Sequence, residues 1–257
     1  MAKKTEEPDD TLAANTQVLA AQDSELMRAS DEIPAFIQKG DTEGTLGIAP
    51  EDARIPRLSL AQPLSPQILD GDMKRIEGLS VGMSFNDLTE QIYGKDPLNV
   101  IVVRADKPRW VEFAEDRSVI DPAVPAGDPR TEFTTDNKGN RIPPAATCFY
   151  DYVILRGPEL EPLAWSCKGS AIGITARPLN GLIRVKPVPI YGCWYKLIPK
   201  QMKNDKGTWY VYVPKQTGFV THPDVYKKAK EYFDIFKQKP VDFDQHPEPE
   251  PSPTTEI

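Results

Sequence analysis

The spacing of apolar and polar positions predicts a strand-rich body with two helices. Leu98–Arg104 is a run of mostly β-branched residues, the composition of a buried strand. Arg109–Phe113 is a short extended run. Thr147–Arg156 and Leu163–Lys168 read as two strands across the turn at 157–162. Alternation in the second puts Leu163, Trp165 and Cys167 on one face and Ser166 and Lys168 on the other. Ile190–Met202 and Thr208–Val213 flank Asn204-Asp205-Lys206-Gly207, which predicts a β-hairpin. Ile172, Ala176, Leu179, Leu182 and Ile183 recur at helical spacing, but Pro178 lies inside the pattern and should kink or split the helix. A second helix runs from about His222 to Lys237. Pro223 stands in its first turn, and Val225, Ala229, Tyr232, Phe233 and Phe236 form its apolar stripe.

Both ends read differently. Residues 1–52 hold a thin heptad of Leu12, Leu19 and Leu26 and a small apolar knot of Ile33, Phe36 and Ile37. Residues 240–257 are rich in Pro, Asp and Glu, with Phe243 as the single aromatic. The chain is 39% hydrophobic with 26 prolines in 257 residues, as expected of a folded centre with unfolded ends. The expected division is a disordered acidic arm over 1–52, a β-rich body over 53–239 and a disordered acidic tail over 240–257. Inside the body, the proline-rich stretch 116–145 reads as a long loop and a candidate lid or contact arm. The strand and helix count fits a mainly β fold: an OB-like small barrel (the oligonucleotide-binding type) with insertions, one interrupting helix and a C-terminal helix. A two-sheet sandwich fits nearly as well.

Charge changes the picture. The net charge of −7 hides a segregation: residues 1–52 carry 4 basic and 12 acidic side chains, and 240–257 carry 5 acidic and no Lys or Arg. The body is therefore +6, and within it 163–239 holds 14 basic against 4 acidic residues. Such a body attracts polyanions, while the arms compete for the same surface. No run of about 18 apolar residues exists, so no membrane span is expected. The N-terminal residues have no apolar signal core. Cys148, Cys167 and Cys193 form neither a disulfide framework nor a zinc pattern, and His222 and His246 are the only histidines. No phosphate-binding loop, nucleophile elbow or zinc-protease motif occurs. A non-enzymatic protein without metal or cofactor is expected; a Mg²⁺-dependent nuclease is the enzymatic alternative.

The segment 191–215 interleaves aromatic and basic residues. On the first strand Trp194, Lys196 and Lys200 share a face. On the second, Tyr210 and Tyr212 are assigned to the solvated face and Trp209, Val211 and Val213 to the core. Bases would stack on the rings while ammonium groups track phosphates. Lys203, Lys206 and Lys215 extend the basic strip, with Lys168, Arg177, Arg184 and Lys186 flanking the first helix. Arg109 and Trp110 offer a further phosphate-and-stacking pair.

Residues 55–72 (IPRLSLAQPLSPQILDGD), 85–94 (FNDLTEQIYG), 103–110 (VRADKPRW), 167–183 (CKGSAIGITARPLNGLI) and 195–213 (YKLIPKQMKNDKGTWYVYV) occur in an order that resembles a family of replication-region proteins of tailed bacteriophages. Those proteins look like phage single-stranded DNA-binding proteins, and the resemblance covers about residues 53–220. It implies a barrel body whose strands, including Trp194–Lys200 and Tyr210–Tyr212, face DNA. It also implies an acidic tail that docks replication or recombination proteins. The tail here ends in Thr-Thr-Glu-Ile without a terminal aromatic. The expected role is sequence-tolerant single-stranded DNA binding in phage replication or recombination, in the cytoplasm of an infected bacterium. Self-association is left open. The alternative is a virion or host-factor-binding interaction protein that uses the same aromatics as a protein interface.

Overall fold

The computed structural model describes residues 54–205, 207–238, 241 and 243. The expectations for the N-terminal arm, for Lys206 and for the tail beyond Phe243 fall outside the described residues.

The strands follow in chain order as β1 (Leu58–Leu60), β2 (Ser84–Asn86), β3 (Ile92–Gly94), β4 (Leu98–Ala105), β5 (Arg109–Phe113), β6 (Val119–Asp121), β7 (Thr134–Thr135), β8 (Arg141–Ile142), β9 (Ala146–Arg156), β10 (Glu161–Lys168), β11 (Cys193–Asn204) and β12 (Gly207–Phe219). The helices are α1 (Arg177–Val185) and α2 (Pro223–Gln238). The main sheet has the order β12-β11-β4-β9-β5-β6, and β10 pairs with the other side of β9. Every ladder in it is antiparallel.

The central strands lack clean polar alternation because both faces of the sheet are covered. Val100, Val102, Tyr152, Ile154, Leu163, Trp165 and Tyr195 point to one core, closed by Leu58 of β1 and by Ala176 and Leu179 of the helical segment. Ile101, Val103, Val153, Leu155 and Ala164 point to the other, closed by Ala229 and Phe236 of α2. Leu163, Trp165 and Cys167 share the first core, as their alternation requires. The stripe read on the second helix also holds, since Val225, Tyr232 and Phe233 pack beside Ala229 and Phe236.

The sheet stays open, which corrects the barrel expectation. Two of its edge strands, β10 and β12, are met by one short segment instead of by each other. On β10, Ala164 N–H donates to the Pro56 carbonyl at 2.8 Å, and Arg57 makes a single parallel bridge to Ala164. On β12, the Gln62 carboxamide bonds both backbone groups of Tyr210: Tyr210 N–H donates to Oε1 at 2.8 Å, and Nε2 donates to the Tyr210 carbonyl at 3.0 Å. The Thr175 hydroxyl donates to the Tyr212 carbonyl. Side chains thus occupy edge groups that a closing strand would otherwise take. A second sheet, β1-β2-β3, carries its own small core of Ala61, Ile76, Leu79 and Phe85.

The split expected at Pro178 is not found: helical backbone runs unbroken from Ser170 to Val185, with a π turn over Ile172–Ala176 in which Arg177 N–H donates to the Ile172 carbonyl. Proline has no N–H to give to the preceding turn, so the wider turn is tolerated there. The stretch 116–145 is not a bare loop. It contains β6, β7 and β8, and Arg130 holds it to the sheet through Asp128 (2.9 Å), Glu112 (2.6 Å) and Asp121 (3.1 Å). The Arg130 guanidinium pulls the Asp128 carboxyl down to about 2.

Phe243 corrects the tail boundary. Its ring is 6% exposed within the α2-side core, and Val241 packs beside it. Proline content marks a chain that leaves regular structure, but one aromatic suffices to fasten it where a hydrophobic groove is open.

Candidate nucleic-acid interface

Asn204 pairs with Gly207, so the β11–β12 turn is only two residues long. That register fixes which side chains share a face. Cross-strand partners on the α2 side form successive rows: Trp194 with Gly218, Lys196 with Lys215, Ile198 with Val213, Lys200 with Val211, and Met202 with Trp209. Rows lie ~6.7 Å apart, two residues of strand rise. Only Trp194 to Leu197 pair onward with β4, so the distal half of the hairpin projects beyond the sheet. Lys200 and Lys215 are exposed, while Trp194, Lys196, Ile198, Met202 and Trp209 are half-buried. Lys196 and Lys215 face each other directly. Like charges at that spacing repel, and neither lysine has an ion-pair partner among the described residues.

This arrangement inverts the second strand relative to expectation. Tyr212 is 4% exposed in the first core, edge-on to Trp165 at 5.6 Å, and its hydroxyl donates to Ser84 Oγ at 2.8 Å. Burial pushes its phenol pKa up. Tyr210 lies on the same side, packed on Gly82: a Cβ there would stand 2.5 Å from the ring. Tyr210 and Tyr212 therefore join the hairpin to β1 and β2 and leave no free stacking face at Tyr212. Trp209 stands on the lysine side, with its indole N–H buried and without an acceptor among the described residues. Of the three residues assigned to the core, Val211 is buried, whereas Trp209 and Val213 are half-buried. A tyrosine is as readily buried as a tryptophan once its hydroxyl has a partner. The turn register carried the missing information, because pairing Asn204 with Gly207 obliges Lys200 to face Val211.

The other predicted residues divide into groups. Lys203 pairs with Thr208 and is exposed at the hairpin tip, on the tyrosine side. Lys186 stands 5.9 Å from the Phe219 ring, at the root of β12, and so joins the hairpin. Arg184 is exposed on α1. Arg109 does not present itself to a ligand: its Nε bonds the buried Asp151 carboxylate at 3.0 Å and its guanidinium lies 5.1 Å from the Phe149 ring. This corrects its assignment, since a cation held by a 2% exposed carboxylate is structural. Trp110, beside it on β5, is half-buried opposite Cys148. Lys168 lies 5.7 Å from that same Phe149 ring, and Arg177 is close enough to Cys148 to act on its thiol. Arg177 and Trp110 thus lie with Cys148 on one face of the β5–β9 region and Lys168 with Phe149 on the other, so these residues do not form one surface with the hairpin.

Sequence reasoning missed a depression of about 350 Å³ at the hairpin's root, lined by Trp194, Phe219, Gly218, Asn99, Pro158 and Gly157 among others. Two glycines and an exposed aromatic at one strand end were its only sequence signal. Among the described residues no cluster of three or more His, Cys, Asp or Glu is placed to hold a metal ion. No helix among them is long and apolar enough to cross a membrane.

The fold and this face define a mainly β protein, built on an open antiparallel sheet, with a projecting hairpin that is basic and aromatic on one side. The sequence profile of a phage family, described as Pam3 phage gp34-like protein, matches residues 23–242. The chain belongs to that family. Comparison with curated proteins and with solved structures found no match.

Proposed function

We propose that the protein binds single-stranded DNA, without catalysis, in phage replication or recombination, and that the α2-side face of the β11–β12 hairpin is its contact surface. The carrying observation is the Lys196–Lys215 cross-strand pair, flanked by Trp194 and without an ion-pair partner among the described residues. Two ammonium groups held side by side are destabilising alone and favourable around a phosphate. Trp194 at one end of the face and Trp209 at the other, about 27 Å away along the strand, supply platforms for unpaired bases. Lys200 lies between them. The contacts address backbone and ring faces, so little sequence preference is expected. The acidic tail beyond Phe243 would act as a tethered competitor or a dock for replication partners.

The test is a titration of fluorescent oligo-dT at several salt concentrations. For single strands the slope of log K against log salt is about −0.7 per phosphate neutralised. Lys196→Ala with Lys215→Ala should weaken binding and flatten that slope by about 0.7, the one phosphate the pair holds. An unchanged slope removes these lysines from the interface, and no binding at any salt overturns the reading. A second reading, protein interaction, is favoured by the 116–145 arm, which leaves Val119, Ile120, Phe133 and Ile142 between 41% and 59% exposed.

A further inference from the structure

We infer that the depression at the root of the hairpin is a nucleobase site that takes one nucleotide and anchors the strand; this rests on the single-strand reading above. Its volume, about 350 Å³, accommodates a base with its sugar but not a duplex step. Trp194 and Phe219 supply rings, and Phe219 is 52% exposed although it is a large apolar side chain at a strand end. Gly218, opposite Trp194 in the ladder, would meet nothing within 4 Å if it carried a Cβ. The space beside the indole is therefore open, and a flat ring can approach it. Pro158 adds a second apolar wall.

Polar groups give the site a direction. Asn99 is exposed and its carboxamide has no partner among the described residues, so it offers both a donor and an acceptor to a base edge. A group with both functions can meet any of the bases. Asn99, Lys196 and Lys215 form one continuous cross-strand row. That row is the neighbour of the row carrying Trp194, ~6.7 Å away. A base on Trp194 therefore places its own phosphate at the two lysines. Lys186, beside Phe219, adds positive charge at the rim.

The probe is thymidine 5′-monophosphate, with deoxyribose 5-phosphate as the base-free control. The full chain has four tryptophans, whose indole N–H signals are resolved by ¹⁵N-correlated NMR. The Trp194 signal is identified by its loss in Trp194→Phe or, if that variant does not fold, by substituting the other three. Millimolar nucleotide should move the Trp194 signal, and the sugar phosphate should move it at least several-fold less. Asn99→Trp, which fills the depression from an exposed position, should abolish the shift. An equal response to both probes would make this a phosphate site and overturn the inference. No response to the nucleotide, with oligo-dT still binding, would overturn the base site and leave the single-strand reading standing. If oligo-dT also fails to bind, both fall.

Discussion

Two C-terminal truncations that differ by four residues separate the anchor from the acidic tail. A chain ending at residue 239 loses Val241 and Phe243, while one ending at 243 keeps both. Phe243 fills the α2-side core with Phe236, Leu160 and Tyr191. Burying a phenylalanine ring is favourable by about 1.5–3 kcal/mol. A closed cavity in its place raises the loss of a core Phe to about 3–5 kcal/mol. The truncation leaves an open groove, so water fills the space and the lower range applies. Releasing residues 240–243 also returns chain entropy, which offsets part of the cost. A net loss of about 2 kcal/mol lowers Tm by roughly 4–8 °C in a chain of this size. Thermal unfolding followed by circular dichroism reads it. The chain ending at 243 should melt with the full-length protein yet bind oligo-dT more tightly at low salt. It lacks Asp244, Glu248, Glu250 and Glu256, and screening at about 300 mM salt should erase that gain. Equal melting of the 239 and 243 chains would refute the anchoring argument. Equal affinity of the 243 and full-length chains at low salt would refute the competitor.

Gln62→Ala removes the carboxamide that satisfies both backbone groups of Tyr210 on the sheet's edge. It should cost about 1–3 kcal/mol, two ordinary hydrogen bonds, read as a lower denaturant midpoint. An unchanged midpoint would mean water replaces the side chain without loss. Alkaline stability tests the buried phenols. Burial pushes Tyr93 from 10.0 to about 12 and raises Tyr152, Tyr195 and Tyr212 further. A raised folded-state pKa means that folding favours the neutral phenol. That stability is complete below pH 10 and falls as pH rises through about 12. Denaturant midpoints between pH 9 and 12 should drop, and Tyr93→Phe should flatten the fall; a flat wild-type profile would contradict the burial of these rings.

Most elements of the body are legible in the sequence because local signals and tertiary demand agree there. Val100, Val102, Ile154 and Leu155 are β-branched or aliphatic and buried, so composition and burial point the same way. The α2 stripe is one-sided because one face meets the sheet. Closure of the sheet is not legible in this way. The edge of β12 is taken by Gln62 and Thr175 and that of β10 by the Pro56 carbonyl, bonds that have no periodic signature. Phe243 is likewise a lone contact, hidden in a composition that reads as unfolded.

The candidate site was legible as a segment and misread as a surface. Aromatic and basic spacing locates the hairpin, but alternation within one strand does not say which of its two faces meets the core. The hairpin is one object: once Asn204 faces Gly207, the position of every side chain on β12 follows from β11. Lys196 must then face Lys215, a pairing that no stability argument favours. Its cost is tolerable because Lys215 is exposed and Lys196 only half-buried, so water screens the pair, and in high dielectric two charges a few ångströms apart repel by only about 1 kcal/mol. That cost reverses sign when a phosphate lies between them. Tyr210 and Tyr212 explain why the hairpin can project at all, since they bind its other side to β1 and β2 through Gly82 and Ser84. The residues first read as ligand contacts thus hold the platform rigid, and a rigid platform binds a flexible strand with less entropy lost on the protein side.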